Sequence, residues 1–500
     1  MLALRTVSPS RLTHRPPRWL FLPALVALGD QLFYGYSLGI SVAVFLAALA
    51  ATVPLANQVQ RDARSLGMAL ALLVLGLLPL VEDTGWLAIL FGIGGLLAFA
   101  VIVTGGLAPG WGATLNAMRC MLIAGPFQIV FDAAVGLTNS VGAVRRWRVG
   151  AVVGWILPVV LTGLFAALFV SANPLIDAWL KRIPSLSLYP NVALGRVFAW
   201  TLLAALAWPF VALRLRHRAR KAPAVLQTAP QVARDPTIVR RCLVLFNLLF
   251  AVQSGLDILY LWGGLSLPEG LTYAAYAHRG AYPLVATALL AAAFVLIAMS
   301  PGGAGEHSPK IRRLVYLWIA QNVLLVVSAA LRLDLYVAVY SMTLVRAAAF
   351  VWMGLVAVGL LLIVARIALR RSNRWLVAAN GLVLLVVLYG CAFANFSALV
   401  SNFNIAQSRE LGGTGEAFDL PYAMSLGPNA VRAVDRYLPH AFGQDLTIAA
   451  QWRAAQVEHA RRGGNWRGWS FRAQRLRHYL ERQPFAPVDV SPMFNAPDIR

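Results

Sequence analysis

LDILYLWGGLSLPEGLTYAAYAHRGAY, residues 256–282, joins two apolar runs, and its reading decides how the chain is built. It leaves the first run through Asp257 and turns at Gly263-Gly264 and again at Pro268-Glu269-Gly270. It enters the second through a Tyr-rich segment carrying His278 and Arg279. Glycine and proline end periodic structure at such places. A polar connector between two apolar stretches, each near the ~20 residues needed to cross a bilayer core, predicts two spanning helices and a turn outside them.

Composition extends that reading to most of the chain. Hydrophobic residues make up 59% of 500 residues, charged residues 13%, and mean hydropathy is +0.68. Soluble domains carry about a quarter charged residues, so the solvent for this chain is a lipid bilayer. Length alone would suggest about three domains, yet apolar runs continue to residue 400 with no interruption long enough for one. The net charge of +23 does not point to nucleic acid, because the basic residues lie in short clusters between apolar runs. That is how orientation signals are distributed. Cys120, Cys242 and Cys391 have no metal or redox spacing, and residues 400–500 hold no cysteine for a disulfide framework.

Eleven spans are predicted, near 19–35, 37–56, 66–82, 86–107, 149–172, 192–213, 241–262, 281–300, 314–331, 344–369 and 375–399. The first is among the shortest. Asp30 and Gln31 interrupt it and another run follows at once, so an uncleaved span is favoured over a signal peptide. With the N-terminus inside, the inner segments carry 25 Lys and Arg, and the outer loops only Lys181, Arg182, Arg279 and Arg332. The positive-inside rule then sets a cytoplasmic N-terminus and a periplasmic C-terminal tail. The predicted domains are a basic N-terminus 1–18, a six-span bundle 19–213, a basic inner loop 214–241, a five-span bundle 242–399 and a helical tail 400–500.

Two inner segments need separate readings. Residues 108–148 are moderately apolar and broken at Gly125-Pro126. An amphipathic helix at the inner interface, its arginines on anionic lipid, is favoured over a re-entrant pair holding Asp132. The loop 214–241 is the most basic and reads as a topology anchor with snorkelling arginines. In the tail, helices are predicted from Gly427-Pro428-Asn429 to about Leu438, about Leu446–Arg462 before Gly463-Gly464, and about Ser470–Arg482. Trp452, Trp466, Trp469, Phe471, Leu476 and Tyr479 are its expected core.

Ionisable groups within apolar spans mark candidate sites. Gln253, Asp257 and Tyr260 share one helix face by their spacing. Topology places Asp257, Glu269, His278, Arg279, Arg332, Asp334 and Arg346 at one outer level. The candidate is an outer polar pocket of Asp257, Tyr260, Glu269, Tyr276, His278, Arg279, Asp334 and Arg346. Structural ion pairs with interfacial aromatics account for the same residues. Interhelical hydrogen bonding accounts for Asp30, Gln31, Gln321 and Asn322. Seven tail arginines interleave with Trp466, Trp469 and Tyr479 over residues 461–482. Outside the membrane these suit anionic lipid headgroups, an envelope protein or the chain's own outer loops, and not nucleic acid. No P-loop, HExxH or metal-ligand spacing occurs, so neither a cofactor nor a metal is predicted.

The runs at 256–296, 314–360 and NWRGWSFRAQRLRHYL (465–480) resemble bacterial inner-membrane proteins grouped as a domain of unknown function of the 4153/4173 type. Tyr276, Arg279, Gly280, Asp334, Tyr340, Thr343 and Arg346 stand at positions of that family's pattern. Ser341-Met342 replaces its usual Gly-Leu. The resemblance implies an all-helical fold and an inner-membrane location, and no activity. Together these observations predict an all-α polytopic bundle with a helical extramembrane tail. A non-enzymatic sensory, scaffolding or envelope-associated role is favoured, with a secondary transporter second and a membrane-embedded enzyme third.

Overall fold

The computed structural model describes residues 20–59, 62–105, 111–129, 132, 194–213, 236–259, 308–462 and 465–483. The described residues form helices joined by short turns and connectors, with no strand among them. The predicted spans at 149–172 and 281–300 lie outside them. The chain separates into two compact units, residues 1–219 with 464–475, and residues 220–463 with 476–500. Most of the tail therefore packs in the second unit, and a twelve-residue piece of it packs in the first.

The first unit contains α1 (Phe21–Phe33), α2 (Ile40–Ala56), α3 (Ala63–Glu82), α4 (Trp86–Gly105), α5 (Trp111–Ala124) and α6 (Leu194–Val211). Asp62 starts α3 by accepting hydrogen bonds from the Ser65 amide (3.0 Å) and hydroxyl (2.8 Å), satisfying one of the donors a helix start leaves open. α3 and α4 then form a tight hairpin. A Cβ on Gly76 would lie 2.6 Å from the Phe91 carbonyl oxygen, and one on Gly95 2.7 Å from that of Leu72. Small residues permit such backbone approach where lipid supplies no hydrophobic drive for helices to associate. Leu46, Leu49, Val53, Leu73, Leu80, Leu96, Ile102 and Phe210 form the core between these helices and α6.

α5 is the main helix described within the 108–148 segment. Met121 is buried in the first unit's core while Leu115, Leu122 and Ile123 are exposed, so the helix is seated on one face. The Trp208 indole donates to Asp132 at 3.0 Å.

The second unit contains α7 (Pro236–Asp257), α8 (Pro309–Tyr340), α9 (Leu344–Ala368), α10 (Asn373–Phe393) and α11 (Phe396–Gln407). Side-chain oxygens of Ser308, Thr343, Ser372 and Asn395 cap α8 to α11 at their starts, as Ser, Thr and Asn do at helix N-termini. Trp318 stacks on Phe246 at 5.3 Å and meets Phe250 edge-on at 5.8 Å, fastening α8 to α7. Gln321 reaches across the same seam to the Asn247 carbonyl at 3.2 Å, whereas Asn322 bonds within its own helix to Trp318 O.

α3, α4, α7, α8, α9 and α10 are long and apolar enough to cross a membrane. α1, α2 and residues 195–211 are apolar but shorter. α8 corrects one boundary. The span expected to stop at 331 continues as helix to Tyr340, 32 residues in all, or about 48 Å at 1.5 Å per residue. Arg332 is thus not in an outer loop. It is inside the helix and buried, because a carboxylate from α7 meets its charge.

The tail continues with α12 (Leu420–Ser425), α13 (Val431–Tyr437), α14 (Gly443–Arg462) and α15 (Phe471–Arg482). Ile405, Phe418, Leu420, Val434, Tyr437 and Ala449 form its core, with Trp452 partly buried against it. Trp466 and Phe471, expected in that core, are instead half-exposed. Their short stretch of chain packs in the first unit.

Candidate functional site

Polar constructions stand out in both units. In the first, Asp30 near the end of α1 meets Arg196 at the start of α6. Arg196 donates from Nε to Oδ1 at 2.9 Å and from Nη2 to Oδ2 at 2.5 Å. The Trp200 indole adds a bond to Oδ1 at 2.8 Å, and the guanidinium lies 4.9 Å above the Tyr34 ring. A two-point guanidinium–carboxylate pair fixes direction as well as distance, so it sets the crossing of α1 and α6.

At that same end the tail piece is seated. The Ile40 amide donates to the Trp469 carbonyl at 2.7 Å. A Cβ on Gly39 would stand 2.3 Å from the Gly468 carbonyl carbon, so backbone rests on backbone. Arg467 donates to the Gln31 carbonyl at 2.8 Å and lies 4.2 Å over the Tyr36 ring. Arg472 reaches Asp83 Oδ2 at 2.8 Å and Glu82 Oε1 at 3.4 Å, and Arg475 also pairs with Glu82. Glu82 closes α3 and Asp83 follows it, where the helix leaves its last carbonyls unpaired. Tail guanidinium groups beside that end complement both the carboxylates and the helix dipole.

In the second unit, Asp257 is fully buried and accepts from Arg332 Nη2 and from Gln253 Nε2 (3.0 Å). Two charges share a site that water does not reach, so each neutralises the other. Asp334, two residues beyond Arg332, is exposed, as a helix rotation of about 200° between them requires. Arg346 belongs to a separate construction at the α8–α9 turn. Its Nη1 donates to the carbonyl oxygens of Tyr340 (2.6 Å) and Ser341, and its guanidinium covers the Tyr336 ring at 4.3 Å.

The tail grips the same turn. Asn404 accepts from the Met342 amide at 2.7 Å and donates to the Met342 carbonyl at 2.9 Å. The Tyr422 hydroxyl accepts from the Leu344 amide at 3.0 Å. Of the predicted pocket, then, Asp257 is brought to Arg332 and Gln253, Arg346 to the turn, and Asp334 faces away from Arg332. Tyr260, Glu269, Tyr276, His278 and Arg279 lie outside the described residues.

Sequence reasoning did not single out the tail's own polar knot. Arg453, almost fully buried, donates from Nε to Asp435 at 2.6 Å and from Nη2 to the Gln483 carbonyl at 3.2 Å. Tyr479 donates its hydroxyl to the other Asp435 oxygen at 2.8 Å. Eighteen residues separate Asp435 from Arg453 and they sit on different helices, so no local spacing announces them. Burial and the carboxylate of Asp435 push the Tyr479 phenol up to about 12. Burial, with Asp445 beside it, pushes Tyr437 to the same value. Among the described residues no group of three or more His, Cys, Asp or Glu could hold a metal.

These features define a class: a multi-helix protein of membrane type whose polar groups are gathered into helix-locking pairs and a tail that folds back onto helix ends. The chain belongs to the family described as a domain of unknown function, DUF4153, whose model matches residues 69–437. No curated protein and no solved structure matches the chain.

Proposed function

We propose that this is a polytopic bacterial inner-membrane protein of eleven spans, with a cytoplasmic N-terminus and a periplasmic tail. Its role on this reading is sensory, scaffolding or envelope-associated, exerted through the outer face and not through catalysis. The seating of the tail carries the reading. Arg467, Arg472 and Arg475 engage the loop side of α1 and α3, at Gln31, Glu82 and Asp83. The distribution of arginines puts those helix ends outside. The opposite ends, near Arg61 and Arg64, are the basic ones. Asp257 and Arg346, the intramembrane charges most suggestive of a reaction or a transport route, are engaged in the Arg332 pair and the α8–α9 turn. Both arrangements support the outer polar residues as parts of a built surface.

Two measurements test it. An impermeant thiol reagent added to intact cells with a permeable outer membrane should label Phe442→Cys, in the tail, and a periplasm-only reporter after Arg500 should be active. An unlabelled residue 442 and a silent reporter in a stably inserted protein overturn the orientation. For the role, Glu82→Arg should reproduce the envelope phenotype of a deletion strain, and Glu82→Arg with Arg472→Glu and Arg475→Glu should relieve it. A deletion phenotype reproduced by Asp257→Asn, with the tail still seated, would move the function into the membrane and defeat the proposal.

A further inference from the structure

The tail piece that packs in the first unit is held at a defined depth. Arg472 and Arg475 grip Glu82 and Asp83, which lie between two helices apolar enough to cross the membrane, α3 and α4. The connector between those helices is only Asp83, Thr84 and Gly85. Whatever sits on it is at the level where apolar helix gives way to water.

At that level large side chains stand exposed. Trp86, the first residue of α4, is 73% exposed, Trp466 53% and Phe471 48%. Half-exposed aromatic rings beside the end of a spanning helix are what the headgroup layer collects, since the ring body favours the acyl boundary and its edge favours water. In water the same rings would be exposed apolar surface.

Among the described residues, the charges at this end do not cancel. Asp30 is matched by Arg196, and Glu82 and Asp83 are shared by Arg472 and Arg475. Arg467 is the remainder. It holds only the Gln31 carbonyl and the Asn465 side-chain oxygen, with its guanidinium 4.2 Å from the Tyr36 ring centre and 5.3 Å from that of Trp466. Contact with two aromatic rings orients a guanidinium without neutralising it.

We propose that residues 466–471 form an interfacial lipid site, in which Trp466 and Phe471 enter the headgroup–acyl boundary and Arg467 takes the phosphate of an anionic phospholipid. This rests on the reading that α3 and α4 span the bilayer. The tail is then tethered to the membrane surface by its own side chains as well as by ion pairs to the helix ends.

The test uses the full chain with Cys120, Cys242 and Cys391 replaced by Ser and a nitroxide on Phe471→Cys, reconstituted in vesicles. In phosphatidylcholine with phosphatidylglycerol, oxygen should relax the label more strongly than a water-soluble paramagnetic reagent does. A label relaxed as in bulk water overturns the site. Spin-labelled phosphatidylglycerol should associate in preference to spin-labelled phosphatidylcholine. Arg467→Gln should cut that preference about fivefold, the worth of one basic side chain at a charged surface, and Arg467→Lys should retain it. A preference unaffected by Arg467→Gln removes Arg467 from the site. The depth reading does not depend on which face the tail occupies, so a tail found in the cytoplasm would leave it standing.

Discussion

Arg346 holds the carbonyl oxygen of Ser341, a residue whose backbone lies at φ +63°, ψ 168°. That region belongs essentially to glycine, and a side chain there costs on the order of 1–3 kcal/mol. The sharp reversal lets α9 start at Leu344, with only three residues between it and the end of α8. Arg346 pins it by satisfying two carbonyls at the end of α8, and Asn404 pins it by satisfying both polar groups of Met342. Ser341→Gly should therefore stabilise the second unit by about 1 kcal/mol, the strain relieved less the extra freedom of glycine in the unfolded chain. Ser341→Val should destabilise it. Thermal unfolding in detergent reads both, and a Gly variant that melts lower than the parent contradicts the account.

The Asp257–Arg332 pair gives an asymmetric expectation. Removing one partner breaks a buried ion pair, at a cost of about 3–5 kcal/mol. Arg332→Leu and Asp257→Leu should each lower thermal stability sharply. The double variant should recover much of the loss, because an apolar pair of similar volume has no desolvation to offset. A double variant as unstable as the worse single one would mean that the pair supplies something packing cannot replace.

The long apolar helices were legible in the sequence because a bilayer calls for a length and an apolarity that few other environments do. Of the eleven predicted spans, nine fall on described helices. The end of α8 was misplaced for a physical reason: a hydropathy ruler stops at a charge, and Arg332 stays helical because Asp257 is opposite it. Asp257, Arg332 and Gln253 were all named from the sequence, but their pairing depends on which faces of α7 and α8 meet. The tail helices were legible from Gly427-Pro428, Gly463-Gly464 and Gln483-Pro484. Their core was not. Where residues 467–468 sit depends on Gly39 and Ser37, more than four hundred residues earlier.

Alkaline titration should be visible in the tail. Tyr437 and Tyr479 are pushed up to about 12, above the ordinary value near 10. Between these values the unfolded chain has lost the two phenolic protons and the folded chain still holds them. Stability from these groups is thus complete below pH 10 and declines as pH rises towards 12. Only three lysines share the window, so the slope is chiefly that of tyrosines. Hydrogen exchange of residues 420–483 across pH 9–12 should show the loss, and Tyr437→Phe with Tyr479→Phe should flatten it. A double variant with an unchanged slope would contradict the assignment.

Gly39 and Gly67 offer a matched pair. Both are in the first unit, but a Cβ at Gly67 meets nothing within 4 Å, while one at Gly39 would stand 2.3 Å from Gly468 backbone. Gly67 is also inside α3, where alanine favours helix by about 1 kcal/mol over glycine. Gly67→Ala should therefore leave the protein unchanged or slightly more stable. Gly39→Ala must displace residues 467–469, and with them the hydrogen bond from the Ile40 amide to Trp469 and the guanidinium contact of Arg467 with Tyr36. The bundle of α1 to α4 does not pass through that contact, so the variant should still insert and keep its helices. What should change is the tail, cut faster by trypsin at the arginines between 461 and 482. Equal cleavage rates for the two alanine variants would mean that residues 465–475 are not seated on the α2 start.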